Sequence, residues 1–386
     1  MGERDEVLDE TDVLIVGGGV IGCATAYYFA REGGECLVID RTDLNTEASG
    51  RNAGSLHVQL QSMIFKEDTE EVIRGREETL PLFMEAVRTW KQLDADLDDD
   101  FELSAEGGLM VAETEDQIRF MERKQVRERR QGIDVEILDQ AQVHAIAPYL
   151  SDRIIAAGHC PHEGKMNPLL ATLALARGAE AAGARIRRHT ELLSLARDNQ
   201  GFEARTDKGV IRARRVVNAA GPLTPAIAGM MGIDLPVKTK CIQGTITEPT
   251  APVVKHLVYH ADRILTFKQV GNGNLLIGGG WPARIDPETG FPRVLRQSIE
   301  SNMWVAMLIM PEVAHLRLIR CWAGINLKTD GRPILGEAPG FPGFFNAVPA
   351  DAGMTLGPVT GRLVAETLCR KNATFDLSRF SIERFA

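Results

Sequence analysis

The sequence predicts an α/β fold in which a Rossmann-like domain is interleaved with a second, α+β domain built on an antiparallel sheet. Three observations support this prediction. An apolar strand at residues 12–16 runs directly into a glycine-rich turn and a helix. An apolar strand ending in small residues, at 212–221, repeats that pattern far along the chain. Residues 257–280 then alternate short strands and turns, which is typical of an antiparallel sheet.

The glycines of the first turn have the spacing G-x-G-x-x-G, at Gly17, Gly19 and Gly22. The first permits a tight turn, the second lets the backbone approach a pyrophosphate, and the third lets the following helix pack closely on its strand. The predicted helix, Cys23 to Glu32, presents its N-terminus to the phosphate charge. This arrangement predicts a bound dinucleotide.

The next predicted strand, Glu35 to Ile39, ends at Asp40. A carboxylate about 20 residues beyond such a glycine turn can accept hydrogen bonds from ribose hydroxyls. A lone glycine triplet is weak evidence, because glycine-rich loops occur without ligands. The strand, triplet, helix, second strand and acid together form a much more specific signal.

The remaining elements are read from periodicity and turn residues. Residues 66–97 are helical in pattern, with a break expected near Pro81. Residues 107–111 form a turn into a strand. The charged segment 115–130 predicts a surface helix, and the alanine- and leucine-rich segment 167–182 predicts a buried one.

Composition narrows the function classes. The 386 residues suit one large or two ordinary domains. The net charge of −9 and the absence of a basic stripe predict no nucleic-acid partner. The acidic residues 1–11 lack the features of a signal peptide, and no run approaches ~20 apolar residues, so no direct membrane insertion is expected.

The six cysteines are scattered and include no C-x-x-C pair. This spacing suggests neither a zinc nor an iron–sulfur site, and no metal is predicted. Reduced thiols fit a cytoplasmic location. No fixed-period repeat or low-complexity linker appears, so interleaved domains are expected rather than tandem ones.

Several further motifs occur at intervals along the chain. They are ASGRNAG at 48–54, GGL at 107–109, HEGKMNP at 162–168, the strand end 216–221, WAG at 322–324, TDGRPILG at 329–336 and GMTLGP at 353–358. With the glycine turn and Asp40, these motifs give the chain a resemblance, over nearly its whole length, to the FAD-dependent amino-acid and amine oxidoreductases. That family includes D-amino acid oxidase, glycine oxidase and sarcosine oxidase.

The resemblance implies that FAD is the dinucleotide and lies extended between the domains. It implies an FAD-binding domain at 1–80, 145–235 and 316–386, and a substrate-binding domain at 81–144 and 236–315. The residues expected to bind FAD come from the glycine turn, the segment after the second strand and the later anchors. They are Gly17, Gly19, Val20, Gly22, Asp40, Arg41, Ser49, Arg51, Asn52, Ala53, Gly54, Leu192, Ala220, Gly221, Gly324, Gly353, Met354 and Thr355.

The C-terminal anchor has a physical role in such proteins. A helix beginning near Thr355 would direct its N-terminal dipole and free N–H groups at the pyrimidine edge of the flavin, where reduction places negative charge. That stabilisation makes the flavin a better hydride acceptor. The alternative interpretation is a helix start whose small residues serve packing alone.

A flavin that oxidises an amine needs the C–H bond held over N5, a neutral amine, and a cation that fixes the substrate carboxylate. The candidate residues are His57, Gln59, Lys268 and Arg320, together with Arg51. Position within the family favours His57, Gln59 and Lys268. The alternatives are a structural histidine, a solvated edge lysine and an arginine extending from a strand end.

Two positions depart from the family pattern. Asp351 stands where proteins similar to glycine oxidase carry an arginine that binds the substrate carboxylate. It could pair with an additional cationic group on the substrate, such as the guanidinium of an arginine-derived opine, or cap the following helix. Where proteins similar to sarcosine oxidase attach flavin through a cysteine, the matching residue is Ala323 rather than Cys321. Non-covalent FAD is therefore expected.

Residues 51–59 and 278–283 look most like the flavin-bearing subunits of opine oxidases and related amino-acid dehydrogenase complexes. The resemblance implies oxidation of an amino acid or N-substituted derivative by hydride transfer to flavin N5, giving an imine that hydrolyses to a 2-oxo acid. It also allows a hetero-oligomer with electron-transfer subunits. The electrons would leave through such a subunit, a quinone or oxygen. Two alternatives remain: an NAD(P)-dependent dehydrogenase, and a non-catalytic FAD-binding subunit of a larger complex.

Overall fold

A computed structural model describes residues 6–371 and 373–385. The helices in these residues are α1 (Val20–Arg31), α2 (Ile64–Glu67), α3 (Glu70–Asp96), α4 (Glu115–Arg129), α5 (Gln140–Ile146), α6 (Pro168–Ala181), α7 (Thr224–Gly229), α8 (Arg296–Ile309) and α9 (Gly353–Leu368). The strands are β1 (Val7–Val16), β2 (Cys36–Ile39), β3 (Ser55–Leu56), β4 (Gly108–Ala112), β5 (Glu136–Asp139), β6 (Ala156–Cys160), β7 (Gly164–Lys165), β8 (Arg185–Arg187), β9 (Leu192–Arg197), β10 (Phe202–Thr206), β11 (Gly209–Asn218), β12 (Lys238–Pro249), β13 (Leu257–His260), β14 (Thr266–Gln269), β15 (Asn274–Gly278), β16 (Arg284–Ile285), β17 (Pro292–Arg293), β18 (Leu318–Lys328), β19 (Ile334–Glu337) and β20 (Phe344–Val348).

The first large sheet has the order β19-β20-β11-β1-β2-β8, and β10 and β9 extend it from β11. The central pairs β20–β11, β11–β1, β1–β2 and β2–β8 are parallel. Helix α1 follows β1 and packs against α6 and α9. The parallel sheet predicted from the two apolar strands is therefore confirmed. Its first strand begins at Val7, inside the acidic opening segment, and residues 1–5 of that segment lie outside the described residues.

The second large sheet has the order β18-β12-β15-β14-β13-β4-β6-β5. The pairs β13–β14 and β14–β15 are antiparallel, as predicted from residues 257–280, and β13–β4 is parallel. Strands β6 and β18 belong to this sheet, although the predicted boundaries grouped them with the first. Helix α3 packs against α9, although its C-terminal half was grouped with the second sheet. A strand or helix pattern depends on neighbouring residues, whereas the elements that it packs against lie far away in the sequence. The pattern therefore does not show which sheet an element joins.

Helix α3 is continuous through Pro81, so the predicted break at that proline is wrong. A proline inside a helix costs about 3 kcal/mol because it removes a hydrogen bond and crowds the preceding turn. Burial of the apolar face of α3 offsets that cost. The indole of Trp90, which is fully buried, donates to the carbonyl oxygens of Met354 (3.1 Å) and Thr355 (3.2 Å) and fastens α3 to α9.

Helix α4 is not the simple surface helix that its charged sequence predicts. Lys124 and Glu128 are 1% and 0% exposed, and the Lys124 Nζ lies 2.7 Å from Glu128 Oε1. The same Nζ donates to Gln59 Oε1 (3.0 Å), and Glu128 Oε1 accepts from the Leu60 N–H (2.7 Å). A charged pair four residues apart has the same sequence pattern whether it is exposed or buried. The buried pair fixes the segment that follows β3.

Replacing Lys124 with methionine is expected to lower the free energy of unfolding by about 3–5 kcal/mol, because it leaves the Glu128 carboxylate buried without its cation. Denaturation in urea measures the loss. The matched control is Arg119→Met on the same helix, whose pair with Asp116 is exposed and should contribute about 1 kcal/mol or less. Equal losses in the two variants would contradict a special contribution from the buried pair.

No helix of the part of the chain that the structure describes has the length and apolar character needed to cross a membrane.

Candidate active site

A cavity of about 550 Å³ lies between the two large sheets. Its walls come from the ends of β1, β2 and β11, from the N-termini of α1 and α9, and from strands β12, β14, β15 and β18. Both sheets contribute glycines to the lining, and the second sheet also contributes Trp322 and Gln243. One cavity therefore joins the predicted dinucleotide cradle to the second sheet.

The glycine turn fits close approach of backbone to a ligand. Gly17 has a φ of +110°, and a Cβ there would lie 2.5 Å from the Ala219 carbonyl oxygen. A Cβ on Gly22 would lie 1.9 Å from the Gly17 carbonyl oxygen, so this glycine serves packing of α1 on the turn. Gly19 lines the cavity, and the Ser49 hydroxyl accepts from the next N–H at the start of α1 (3.0 Å). These features fit a dinucleotide pyrophosphate at the helix N-terminus.

Asp40 lines the cavity at the end of β2. Its Oδ2 accepts from the Gly18 N–H (2.8 Å), and its Oδ1 accepts from the Thr42 N–H (2.8 Å) and the Thr42 hydroxyl (3.0 Å). The carboxylate therefore braces the glycine turn. Each carboxylate oxygen has two lone pairs, so Oδ2 retains capacity to accept from a ligand hydroxyl.

The residues expected to bind the cofactor mostly line this cavity, and the exceptions are Gly22 and Gly54. Gly54 has a φ of +69°, and a Cβ there would lie 2.2 Å from the Met166 carbonyl oxygen, so it serves close packing of the chain. Those that line it are Gly17, Gly19, Val20, Asp40, Arg41, Ser49, Arg51, Asn52, Ala53, Leu192, Ala220, Gly221, Gly324, Gly353, Met354 and Thr355.

Helix α9 begins at Gly353, two residues before the predicted start, and its first residues line the cavity. The Thr355 hydroxyl donates to the Ser55 carbonyl oxygen (3.1 Å) and accepts from the His57 N–H (3.3 Å). The N-cap residue is Ala352, and the side chain of Asp351 makes no capping bond. The positive end of a 16-residue helix thus faces the cavity.

His57 lies in the cavity wall. Its Nδ1 is 4.0 Å from Glu163 Oε1, and its ring packs edge to face against Tyr259. Burial, followed by the charges of Lys268 and Arg76, lowers the pKa of His57 to about 3. The imidazole is therefore neutral at physiological pH and can accept or donate one hydrogen bond at each nitrogen.

Glu163 holds the segment that contains His57 in place through hydrogen bonds. One carboxylate oxygen accepts from the N–H groups of Val58 (2.7 Å) and Gln59 (2.9 Å), and the other accepts from the Tyr259 hydroxyl (2.7 Å). The sequence motif at 162–168 gave no indication of this contact, because its partners lie about 100 residues away.

Three of the predicted substrate residues, Gln59, Arg320 and Lys268, do not line the cavity. Gln59 is buried behind the wall, where its amide donates to the Gly158 carbonyl oxygen (3.2 Å) and to Glu163 (3.2 Å). Arg320 is exposed near the start of edge strand β18, and the cavity begins at Trp322 on that strand. Residues 57–60 do not form a strand, so the alternation that would place Gln59 beside His57 is absent there.

Lys268 is buried in β14, which is a central strand, so the interpretation as a solvated edge residue is wrong. Its Nζ donates to the Ser55 hydroxyl (2.8 Å), and Ser55 lines the cavity. Burial, with the charge of Lys165, holds the pKa of Lys268 well below its ordinary value. The Lys268 ammonium therefore lies behind the cavity wall and contacts the wall through the Ser55 hydroxyl.

Asp351 lines the cavity and forms an ion pair with Arg76 of α3. Arg76 also lines the cavity but was not predicted, because residues 66–97 were interpreted only as a helix. A sequence feature that could have indicated its position is Gly75, a glycine inside the helix and next to Arg76. A Cβ on Gly75 would lie 2.2 Å from the Asp330 carbonyl oxygen, so this turn of α3 approaches another segment closely.

Comparison with known proteins agrees with this geometry. Residues 12–367 match the model of the family described as FAD dependent oxidoreductase. The chain is similar to glycine oxidase of Geobacillus kaustophilus (29% identity, 97% of each chain) and to one of the subunits of the opine oxidase of Agrobacterium tumefaciens (27% identity, 97% of this chain and 98% of the relative). The crystal structure of the Geobacillus kaustophilus glycine oxidase superposes with a TM-score of 0.85 at 26% identity, covering 97% of this chain and 98% of that one.

The cavity joins the glycine turn, Asp40 and the N-terminus of α9, and each of these elements lies within the matched range. The chain belongs to the family of FAD-dependent oxidoreductases.

Proposed function

We propose that this FAD-dependent oxidoreductase oxidises the C–N bond of an amino acid or an N-substituted amino-acid derivative. The product is an imine, which hydrolyses to a 2-oxo acid. The observation that carries the proposal is the continuity of the FAD cradle with a wall containing buried Arg76 and the partly buried His57 and Asp351. The names of the similar proteins, a glycine oxidase and an opine oxidase, give the substrate class.

When bound, FAD supplies a hydride acceptor at flavin N5. The glycine turn and the free N–H groups in the first turn of α1 would hold its pyrophosphate, and the N-terminus of α9 would favour negative charge at the cavity. Neutral His57 can accept a hydrogen bond from the substrate amine. Because its pKa is about 3, it does not act as a proton donor at physiological pH.

Asp351 already has an internal cation in Arg76. The proposed substrate range, which includes D-amino acids, sarcosine-like and proline-like compounds and opines, therefore requires no additional positive group. FAD binding is proposed to be non-covalent, with Ala323 at the position where related proteins carry the attachment cysteine.

The test is an anaerobic titration of the holoenzyme with glycine, sarcosine, D-alanine, L-proline and an arginine-derived opine. Bleaching of the flavin absorption by at least one compound is the expected result, with the matching 2-oxo acid or aldehyde detected as product. A flavin that dithionite bleaches but no member of the panel reduces would favour the alternative of a non-catalytic FAD-binding subunit. The family match excludes the alternative of an NAD(P)-dependent dehydrogenase.

We also propose that the chain works with an electron-transferring partner subunit, supported by its similarity to a protein that is itself one subunit of an opine oxidase. A cytoplasmic location is proposed because each of its six cysteines carries a free thiol. Co-purification of an untagged partner from the native organism, and reoxidation that is faster in the complex than in the isolated chain, would support the first proposal.

Replacing Asp40 with alanine is expected to weaken FAD binding by about 1.5–3 kcal/mol, the range for a hydrogen bond to a charged group. The substitution removes the carboxylate that is expected to accept from a ribose hydroxyl and that accepts from the Gly18 N–H. Quenching of flavin fluorescence on titration of the apoprotein measures the dissociation constant. Asp43→Ala, an exposed acid in the same loop, is the control. An unchanged constant in Asp40→Ala would assign Asp40 to the turn alone.

A further inference from the structure

Arg76 is a buried cation in the cavity wall. Its side chain comes from the interior of α3, and the residue is 7% exposed. One guanidinium nitrogen, Nη2, contacts the Asp351 carboxylate, and the guanidinium carbon lies 5.1 Å from the centre of the Phe83 ring. The ion pair and the ring contact fix the orientation of the guanidinium.

The other terminal nitrogen, Nη1, is buried and has no hydrogen-bond partner among the described residues. A buried donor without a partner is costly, more so on a charged group, and native proteins pair nearly all such atoms. Arginine has five N–H donors in a fixed fork that matches a carboxylate. Because Arg76 lines the ligand cavity, this spare donor capacity points to an anionic ligand group.

The Arg76 guanidinium keeps donor capacity that its acidic neighbours do not use. Asp351 contacts Nη2, and the charge of Asp68, which is paired with Lys328, also acts on Arg76, but Nη1 has no hydrogen-bond partner among the described residues. Lys268 is buried behind Ser55, and His57 is neutral. Arg76 and His57 line the same cavity.

We propose that Arg76 binds the carboxylate of the substrate through its guanidinium, and that Asp351 sets its affinity by competing for the same guanidinium. This inference rests on the proposed function and adds a specificity-determining residue to it. Asp351 then tunes a carboxylate site instead of recruiting a cationic substrate. An acid that shares the guanidinium weakens carboxylate binding and thereby eases product release.

The experiment measures binding of acetate and benzoate to the oxidised holoenzyme, followed by the change in flavin absorption, so that no turnover is needed. Arg76→Met is expected to weaken binding about 10- to 100-fold, the equivalent of one charge-assisted hydrogen bond. Asp351→Asn is expected to tighten binding several-fold. Arg88→Met, an exposed arginine on the same helix, should bind both anions like the wild type. Benzyl alcohol, which lacks the carboxylate, should show no dependence on Arg76.

The double variant Arg76→Met/Asp351→Asn separates loss of the cation from exposure of the acid. The proposal expects weak binding in the double variant. Recovery of wild-type affinity there would overturn it, because the effect of Arg76→Met would then come from repulsion by unpaired Asp351. Loss of FAD from Arg76→Met during gel filtration would also overturn it, by assigning Arg76 to the cofactor, as would failure of the wild type to bind either anion.

The two proposals can fail separately. Anion binding that depends on Arg76, in a protein whose flavin no amino acid reduces, would uphold the carboxylate site and contradict the proposed function. Reduction of the flavin by an amino acid with equal affinity in wild type and Arg76→Met would uphold the function and overturn the assignment of Arg76.

Discussion

Replacing Gly19 with valine is expected to abolish retention of FAD. A Cβ on Gly19 would lie 3.0 Å from the Ser49 hydroxyl, which accepts from the first N–H of α1. The two further methyl groups of valine would occupy the cavity at the turn where backbone meets pyrophosphate. The substitution therefore blocks the ligand and disturbs the hydroxyl that orders the start of the helix.

Flavin content after gel filtration measures this effect, with circular dichroism to confirm folding. The matched control is Gly229→Val, since a Cβ on Gly229 meets no atom within 4 Å, and that variant should keep its flavin. Near-stoichiometric FAD in Gly19→Val would show that the cofactor is placed elsewhere.

The parts of this site that the sequence predicts are those whose chemistry is local. The glycine turn, Asp40 and the start of α9 each combine a backbone requirement with a short spacing, so their roles can be inferred from neighbouring residues. The strands at 257–260 and 274–278 are equally local, because alternation and turn residues mark them.

The parts that sequence reasoning missed depend on distant contacts. Arg76 reaches Asp351 across 275 positions, from a run of charges that is indistinguishable from a solvated helix face. Lys124 and Glu128 look like an ordinary exposed pair, and only the tertiary fold buries them. Gln59, chosen by its position within the family, does not line the cavity, because its side chain instead bonds to Gly158 and Glu163, about 100 residues away.

Replacing Lys268 with methionine is expected to leave FAD bound and to slow flavin reduction by substrate, or reoxidation, by about 10²- to 10³-fold. That range is typical for removal of one preorganised electrostatic group from an active site. Lys268 is 1% exposed and bonded to Ser55 in the cavity wall, so its charge is little screened by water. Methionine preserves the length and the apolar packing of the side chain while removing the ammonium.

The pH dependence distinguishes an electrostatic role from a structural one. Burial holds the pKa of Lys268 below its ordinary value of 10.5, so the ammonium is lost at a lower pH than for an exposed lysine. A rate that depends on the ammonium should fall as pH rises through that lowered pKa. Lys268→Met should lack this fall and stay slow throughout, whereas Lys268→Arg, which stays charged, should recover part of the rate and keep it at high pH. Stopped-flow measurement of both half-reactions tests this, and normal rates in Lys268→Met would leave Lys268 as the support of Ser55 alone.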